Sequence, residues 1–161
     1  MTSVLKVDNI QNSSGTDAIS IDSSGRVKQP NLVAFKAGRS GGTVGVNTNI
    51  VFDYEYYNNG NHYSTTTGKF TAPVDGVYVL TFNILTFNDA ASQDDIGIYK
   101  NNTSTFLAKI RSHDDRAAYN TVSTTLVENL SANDTVWARV INGKVYGTSP
   151  EWSQFSGYQI A

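Results

Sequence analysis

The sequence predicts an all-β chain: a sandwich or jelly roll preceded by a short β-rich segment. Three observations point there. No stretch of useful length repeats apolar residues at i, i+3, i+4 and i+7. Valine, isoleucine, threonine and the aromatics dominate from Leu32 onward. Short alternating runs are separated by Gly, Asn, Asp and Ser clusters at 38–45, 58–61, 101–104 and 131–134. The expected strands are 32–37, 49–56, 62–71, 75–87, 95–101, 105–111, 119–129, 134–141 and 154–160. Strands this frequent in 161 residues fill a two-layer β domain.

The strongest element is the run GVYVLTFNI at 76–84. Tyr78, Leu80, Phe82 and Ile84 fall on one face, and Val77, Val79, Thr81 and Asn83 on the other. The first face suits a core. The second is too apolar to sit comfortably in water, and a sandwich sheet has only one core-facing side. Either both faces are internal to a monomer or the second packs against copies of the chain, and the second reading is preferred. Around this strand, Gly60 and Gly68 sit in turns, Gly76 is expected to let the backbone turn into the strand, and Pro73 separates two strands because it cannot donate to a ladder. Trp137 is expected in the sandwich core with Tyr78 and Phe82.

Residues 1–29 read as three short strands around the turns NSSG and SSG. So few residues bury too little to fold alone. They need copies of themselves or a docking partner, and the boundary is expected at Gln29-Pro30-Asn31.

Charged residues are only 16% and net charge is −2, so no basic patch suggests nucleic acid. No cysteine offers a disulfide, a thiolate metal site or thiol chemistry. No run approaches a membrane span, so no membrane insertion is expected, and the N-terminus carries no signal-peptide pattern. The only histidines are His62, in a turn, and His113, in RSHDDR. Ser112, His113 and Asp114 adjoin in sequence, which does not make a triad, because triad geometry is spatial. No enzymatic role and no cofactor are expected. Gly38-Arg39-Ser40-Gly41-Gly42 is not a phosphate loop, because no helix follows it.

Phe52, Asn58, Tyr63, Phe70, Gly76, Tyr78 and Phe82 stand at spacings that resemble the globular head domain of complement component 1q. Leu80 replaces the family's usual Phe, a swap that keeps a large apolar side chain inward. LVENLSANDTVW at 126–137 and FSGYQI at 155–160 are similar to two further family blocks. The resemblance covers about residues 32–161. It implies a ten-stranded jelly-roll sandwich shared with tumour necrosis factors, assembled as a homotrimer with one sheet facing the axis. Val77, Val79 and Leu85, with Phe155 and Tyr158, are then the expected interface residues. LKVDNIQNSSGTDAISIDSSGRV at 5–27 resembles a leader, of the form K-V-D-x-I-Q…G-T-D-A-I-x-I-D…G-R-V, that opens many structural proteins of marine cyanobacterial phages. That likeness implies a virion surface protein made in the host cytoplasm and released by lysis, attached to other virion proteins through residues 1–30.

If so, chain direction places loops 88–94, 111–118 and 142–152 at the end far from residue 30, and loops 101–104 and 129–134 at the base. The far loops carry the charge and exposed aromatics. Asp94, Asp95, Arg111, His113, Asp114, Asp115, Arg116, Tyr146 and Trp152 are therefore the candidate contacts to a host glycan or outer-membrane component. Asp94, Asp95, Asp114 and Asp115 are the candidate oxygen ligands should calcium bind, although their spacing matches no calcium loop. The functional expectation is a tail fibre or receptor-binding tip. The alternatives are a capsid decoration protein or head fibre, favoured by the lack of a shaft, and a tail adaptor.

Overall fold

A computed structural model describes residues 5–88, 93–113 and 118–161. The chain divides into two compact units, Met1–Leu32 and Val33–Ala161.

The first unit is a three-stranded antiparallel meander: β1 (Asn9–Gln11), β2 (Asp17–Ile21) and β3 (Val27–Lys28). One turn design is used twice, ten residues apart. Asn12 Oδ1 accepts the N–H groups of Ser14 and Thr16, and Asp22 Oδ1 accepts those of Ser24 and Arg26. Gly15 and Gly25 close the turns at φ 84° and 75°, where a Cβ would be strained. Hydrogen bonds from the Arg26 backbone and side chain pull the Asp22 carboxyl below its ordinary value. Ile10 faces Ile19 and Ile21 faces Val27 across the ladders. All four therefore share one face of a sheet too small to bury it, and Ile10 and Val27 are exposed.

The second unit is a ten-stranded jelly roll, β4 (Ala34–Gly38), β5 (Tyr54–Asn59), β6 (Tyr63–Ser64), β7 (Lys69–Thr71), β8 (Gly76–Asn88), β9 (Gln93–Lys100), β10 (Phe106–His113), β11 (Ala118–Leu130), β12 (Thr135–Asn142) and β13 (Gln154–Gln159). Two five-stranded sheets pack face to face, in the orders β11-β8-β13-β4-β5 and β10-β9-β12-β7-β6. We call them the β8 sheet and the β9 sheet. Their inner faces meet in one core. Tyr78, Leu80, Phe82 and Ile84 of β8 are fully buried in it, against Ile96 and Ile98 of β9 and Val136, Ala138 and Val140 of β12.

The spaced aromatics form the middle of this core. Phe82 stacks on Phe155 at 4.0 Å, Phe155 meets Phe35 edge-on at 4.8 Å, and Phe35 stacks on Tyr63 and Phe70. Tyr63 also ties β6 to the segment before β5. Its hydroxyl donates to Phe52 O and accepts from Phe52 N–H. Burial pushes that phenol well above its ordinary range. Asn58 clamps the other side, its amide bonding both Tyr63 N–H and Tyr63 O. The Phe52, Asn58, Tyr63 spacing is therefore a backbone-satisfaction device as much as a packing pattern.

Several expectations need correction. Residues 62–71 do not form one strand but the hairpin β6–β7, turned through Gly68 at φ 72°. The strand expected at 49–56 starts at Tyr54. Residues 47–50 instead run irregularly beside β12, exchanging backbone hydrogen bonds with Ala138 and Val140. Gly76 is needed for space rather than for turning, since a Cβ there would lie 2.4 Å from Ala161 O. Trp137 is buried but not in the core. It lies on the outward face of β12, stacked on Tyr99 and capped by the Lys69 ammonium 4.1 Å from its ring centre.

Candidate functional site: the outward face of the β8 sheet

β8 alternates without a break. Tyr78, Leu80, Phe82, Ile84 and Thr86 are buried, while Val77, Val79, Thr81, Asn83, Leu85 and Phe87 are only half covered on the outward side. The ladders extend this outward face across the sheet in rows. Near the base, Val127, Val79, Tyr158 and Ala34 lie side by side. Tyr158 and Val127 are exposed at 48% and 63%, more than a lone chain needs to show. The next row is hydroxylic, with Thr125, Thr81 and Ser156, and the two threonine hydroxyls bond each other at 3.1 Å. Tyr54, Tyr56 and Tyr57 stand exposed along the β5 edge, with the Lys36 ammonium over the Tyr56 ring.

At the far end the face becomes aromatic. Phe87 contacts Tyr119 at 4.8 Å, Tyr119 meets Tyr146 at 4.9 Å, and Tyr146 stacks on Trp152 at 5.6 Å. Leu85, Tyr119, Tyr146 and Trp152 line an apolar depression of about 300 Å³. Local desolvation, then the neighbouring Tyr146, raises the Tyr119 phenol above its ordinary value. A buried serine builds this end. Ser153 Oγ accepts Leu85 N–H and donates to Tyr146 O, which pins residues 146–153 to β8. Ser153 is fully buried, and nothing in its sequence neighbourhood marks it.

The β8 sheet is thus buried on one side and half covered on the other, with apolar rows at both ends of a hydroxylic one. A C1q domain model matches residues 34–160. The chain belongs to the C1q domain family. Its C1q domain is 29% identical over 128 residues to mouse (Mus musculus) complement C1q tumor necrosis factor-related protein 3, covering 80% of this chain and 51% of that protein. It is 33% identical over 134 residues to Danio rerio Caprin-2, covering 80% of this chain and 14% of that protein. The chain thus spans about half the length of the first of these relatives, and far less of the second. Among solved structures, the globular domain of zebrafish complement 1qA superposes with a TM-score of 0.64 at 18% identity, covering 80% of this chain and 98% of that one. Eiger TNF from S. frugiperda superposes at 0.68 and 15% identity, covering 81% and 94%. Both share the fold.

Within the C1q domain, the residues singled out by sequence do not form one site. Val77, Val79, Leu85 and Tyr158 lie on the outward face of the β8 sheet. Phe155 does not. Three residues from Tyr158 on one strand, it necessarily takes the opposite face, and it is fully buried against Phe82. Tyr146 and Trp152, expected to contact ligand, line one depression with Leu85 and Tyr119. Asp94 and Asp95 are not in a loop but on β9, pointing to opposite faces. Asp94 is buried, accepting Ser112 Oγ–H and Lys144 N–H, and the Ser112 hydroxyl in turn lies 3.2 Å from Thr86 Oγ1. Asp95 faces outward and binds Arg111 through two hydrogen bonds of 2.6 and 3.0 Å, which raise the guanidinium pKa. Within one chain the two carboxylates therefore lie on opposite faces of β9. Among the described residues no group of three or more His, Asp or Glu is gathered at metal-binding distance. His113 is exposed at the end of β10 and points away from the inward Ser112. Asp114, Asp115 and Arg116 lie outside the described residues.

Proposed function

We propose that this chain is a non-catalytic, homotrimeric surface protein of a phage virion. The C1q domains trimerise through the outward face of the β8 sheet. Residues 1–30 attach the trimer to other virion proteins, and the domain recognises a host cell-surface component as a tail fibre or receptor-binding tip. The observation that carries the trimer is the outward row Val127, Val79, Tyr158 and Ala34, continued at the far end by Leu85, Tyr119, Tyr146 and Trp152. Burying that row against two copies removes apolar surface that a lone chain leaves wet. Tyr146 and Trp152 then serve assembly rather than ligand contact. The likeness of residues 5–27 to phage leaders supports the virion, and the one-sided apolar face of Ile10, Ile19, Ile21 and Val27 supports attachment. Three identical heads would turn weak single contacts into useful avidity.

The test is immunogold labelling of intact particles carrying either the full chain or a chain lacking residues 1–30. Label at the tail tip, lost on deletion, supports the proposal. Label on the capsid would replace the receptor-binding role with decoration. No label on particles would overturn the virion reading.

A further inference from the structure

A second surface lies on the opposite side of the domain, on the outward face of the β9 sheet. An open cleft of about 560 Å³ is walled by Asn47, Thr48, Asn49 and Val51 on one side and the β6–β7 turn on the other, with Arg139 of β12 also lining it. We propose that this cleft binds an acidic saccharide, a sugar carrying a carboxylate or sulfate. The idea goes beyond the trimeric reading and does not depend on it.

The charge pattern comes first. Lys69 and Arg139 both line the cleft, and no Asp or Glu among the described residues does, although the chain as a whole is net negative. Neither cation makes an ion pair with a described residue. The Arg139 guanidinium spends one N–H on Asn47 O at 2.8 Å, which holds its fork in place and leaves its other donors for a guest. Lys69 is steadied over the Trp137 ring, so its ammonium is positioned without being neutralised.

The remaining lining selects what carries the anion. Asn47, Thr48 and Asn49 on one wall, with Thr66 and Thr67 on the other, offer amides and hydroxyls that both donate and accept. Such a lining matches the vicinal hydroxyls of a sugar ring, and the volume suits one or two rings. Two cations are too few to track a nucleic-acid backbone.

The walls are held before any guest arrives. Asn47 N–H and Ile50 N–H donate to Val140 O and Ala138 O, and Val140 N–H donates to Thr48 O. Asn47 adopts φ 60°, the left-handed conformation that asparagine tolerates. Gly68 locks the two walls together, because a Cβ there would lie 2.7 Å from Ile50 O. A preformed cleft loses less affinity to ordering.

The experiment is calorimetric titration of the full chain with a uronate oligosaccharide, a sulfated oligosaccharide, the uncharged parent sugar and inorganic sulfate. Saturable binding of at least one acidic sugar, at least tenfold tighter than both the uncharged parent and free sulfate, is the result expected. R139Q should weaken it at least fivefold, and doubling the salt should weaken it too. K69Q tests the second cation, with circular dichroism confirming the fold. Should that variant unfold, T67V provides the alternative, with a threefold loss expected. No saturable binding of either acidic sugar, equal binding of the uncharged parent or of free sulfate, or an affinity that R139Q leaves unchanged would each overturn the proposal. The mass of the same sample by light scattering is read independently, so failure of the cleft and failure of the trimer remain distinguishable.

Discussion

Replacing Val79 with aspartate separates the two faces of β8 most cleanly, because its neighbour Leu80 supplies the control. Val79 is only half covered within one chain, and its carboxylate replacement would reach water there. For an isolated chain V79D should cost about 1 kcal/mol, the scale of a poor strand former at a solvated position. In a trimer the same side chain enters a dewatered interface. Losing the valine transfer term forfeits about 1.5 kcal/mol, and an unpaired carboxylate there adds about 2 more. Summed over three protomers this reaches about 10 kcal/mol, enough to dissociate an assembly at micromolar concentration. L80D puts the charge into the core, where Leu80 is fully buried, and should unfold the domain outright. The assay is light scattering for mass beside circular dichroism for fold. V79D should be folded and monomeric, and L80D unfolded. A V79D protein that stays trimeric would refute the interface. One that unfolds as L80D does would show that both faces are internal to a single chain.

Three further outcomes follow from the same geometry. G157A should lower Tm by about 10 °C in a thermal scan, because the added Cβ would sit 2.6 Å from Leu80 Cδ2 and 2.8 Å from Phe35 Cε1 and must displace the core. Y63F should cost about 2 kcal/mol in urea unfolding, since it leaves both Phe52 N–H and Phe52 O without their buried partner. Asp134 should give an acid-dependent contribution. Its carboxyl is pulled to about 2, first by the Asn101 amide and then by Lys100. A folded value below the unfolded one stabilises fully above about pH 4 and fades as pH falls through about 2. With solvent screening the difference from D134N should be about 1 kcal/mol at pH 6 and near zero at pH 2, read from urea midpoints across that range.

What the sequence shows plainly is periodicity. β8 is legible residue by residue because its alternation is unbroken from Val77 to Phe87. The motif aromatics were equally legible, since Phe52, Tyr63, Phe70, Tyr78 and Phe82 are all buried. The pattern misleads where burial is not periodic. Ile50 and Phe52 alternate like a strand but belong to an irregular segment, whose backbone is satisfied by β12 at residues 47–50 and by the Tyr63 hydroxyl at Phe52. Val136, Trp137 and Ala138 are all buried, so no alternation shows that Trp137 faces outward under Lys69. Tyr146 N–H donates to Leu85 O, and Ser153 Oγ accepts Leu85 N–H across 68 residues, contacts that local pattern does not encode. The cleft at Lys69 and Arg139 escaped for the same reason, since three separate segments build it and none carries a charge cluster.

The central claim is that the outward face of the β8 sheet holds three copies together. The mass of the purified full chain by light scattering, at about 10 µM in moderate salt, tests it most directly. A single species at three times the 17.5 kDa chain mass is the predicted result. A folded protein at 17.5 kDa would contradict it.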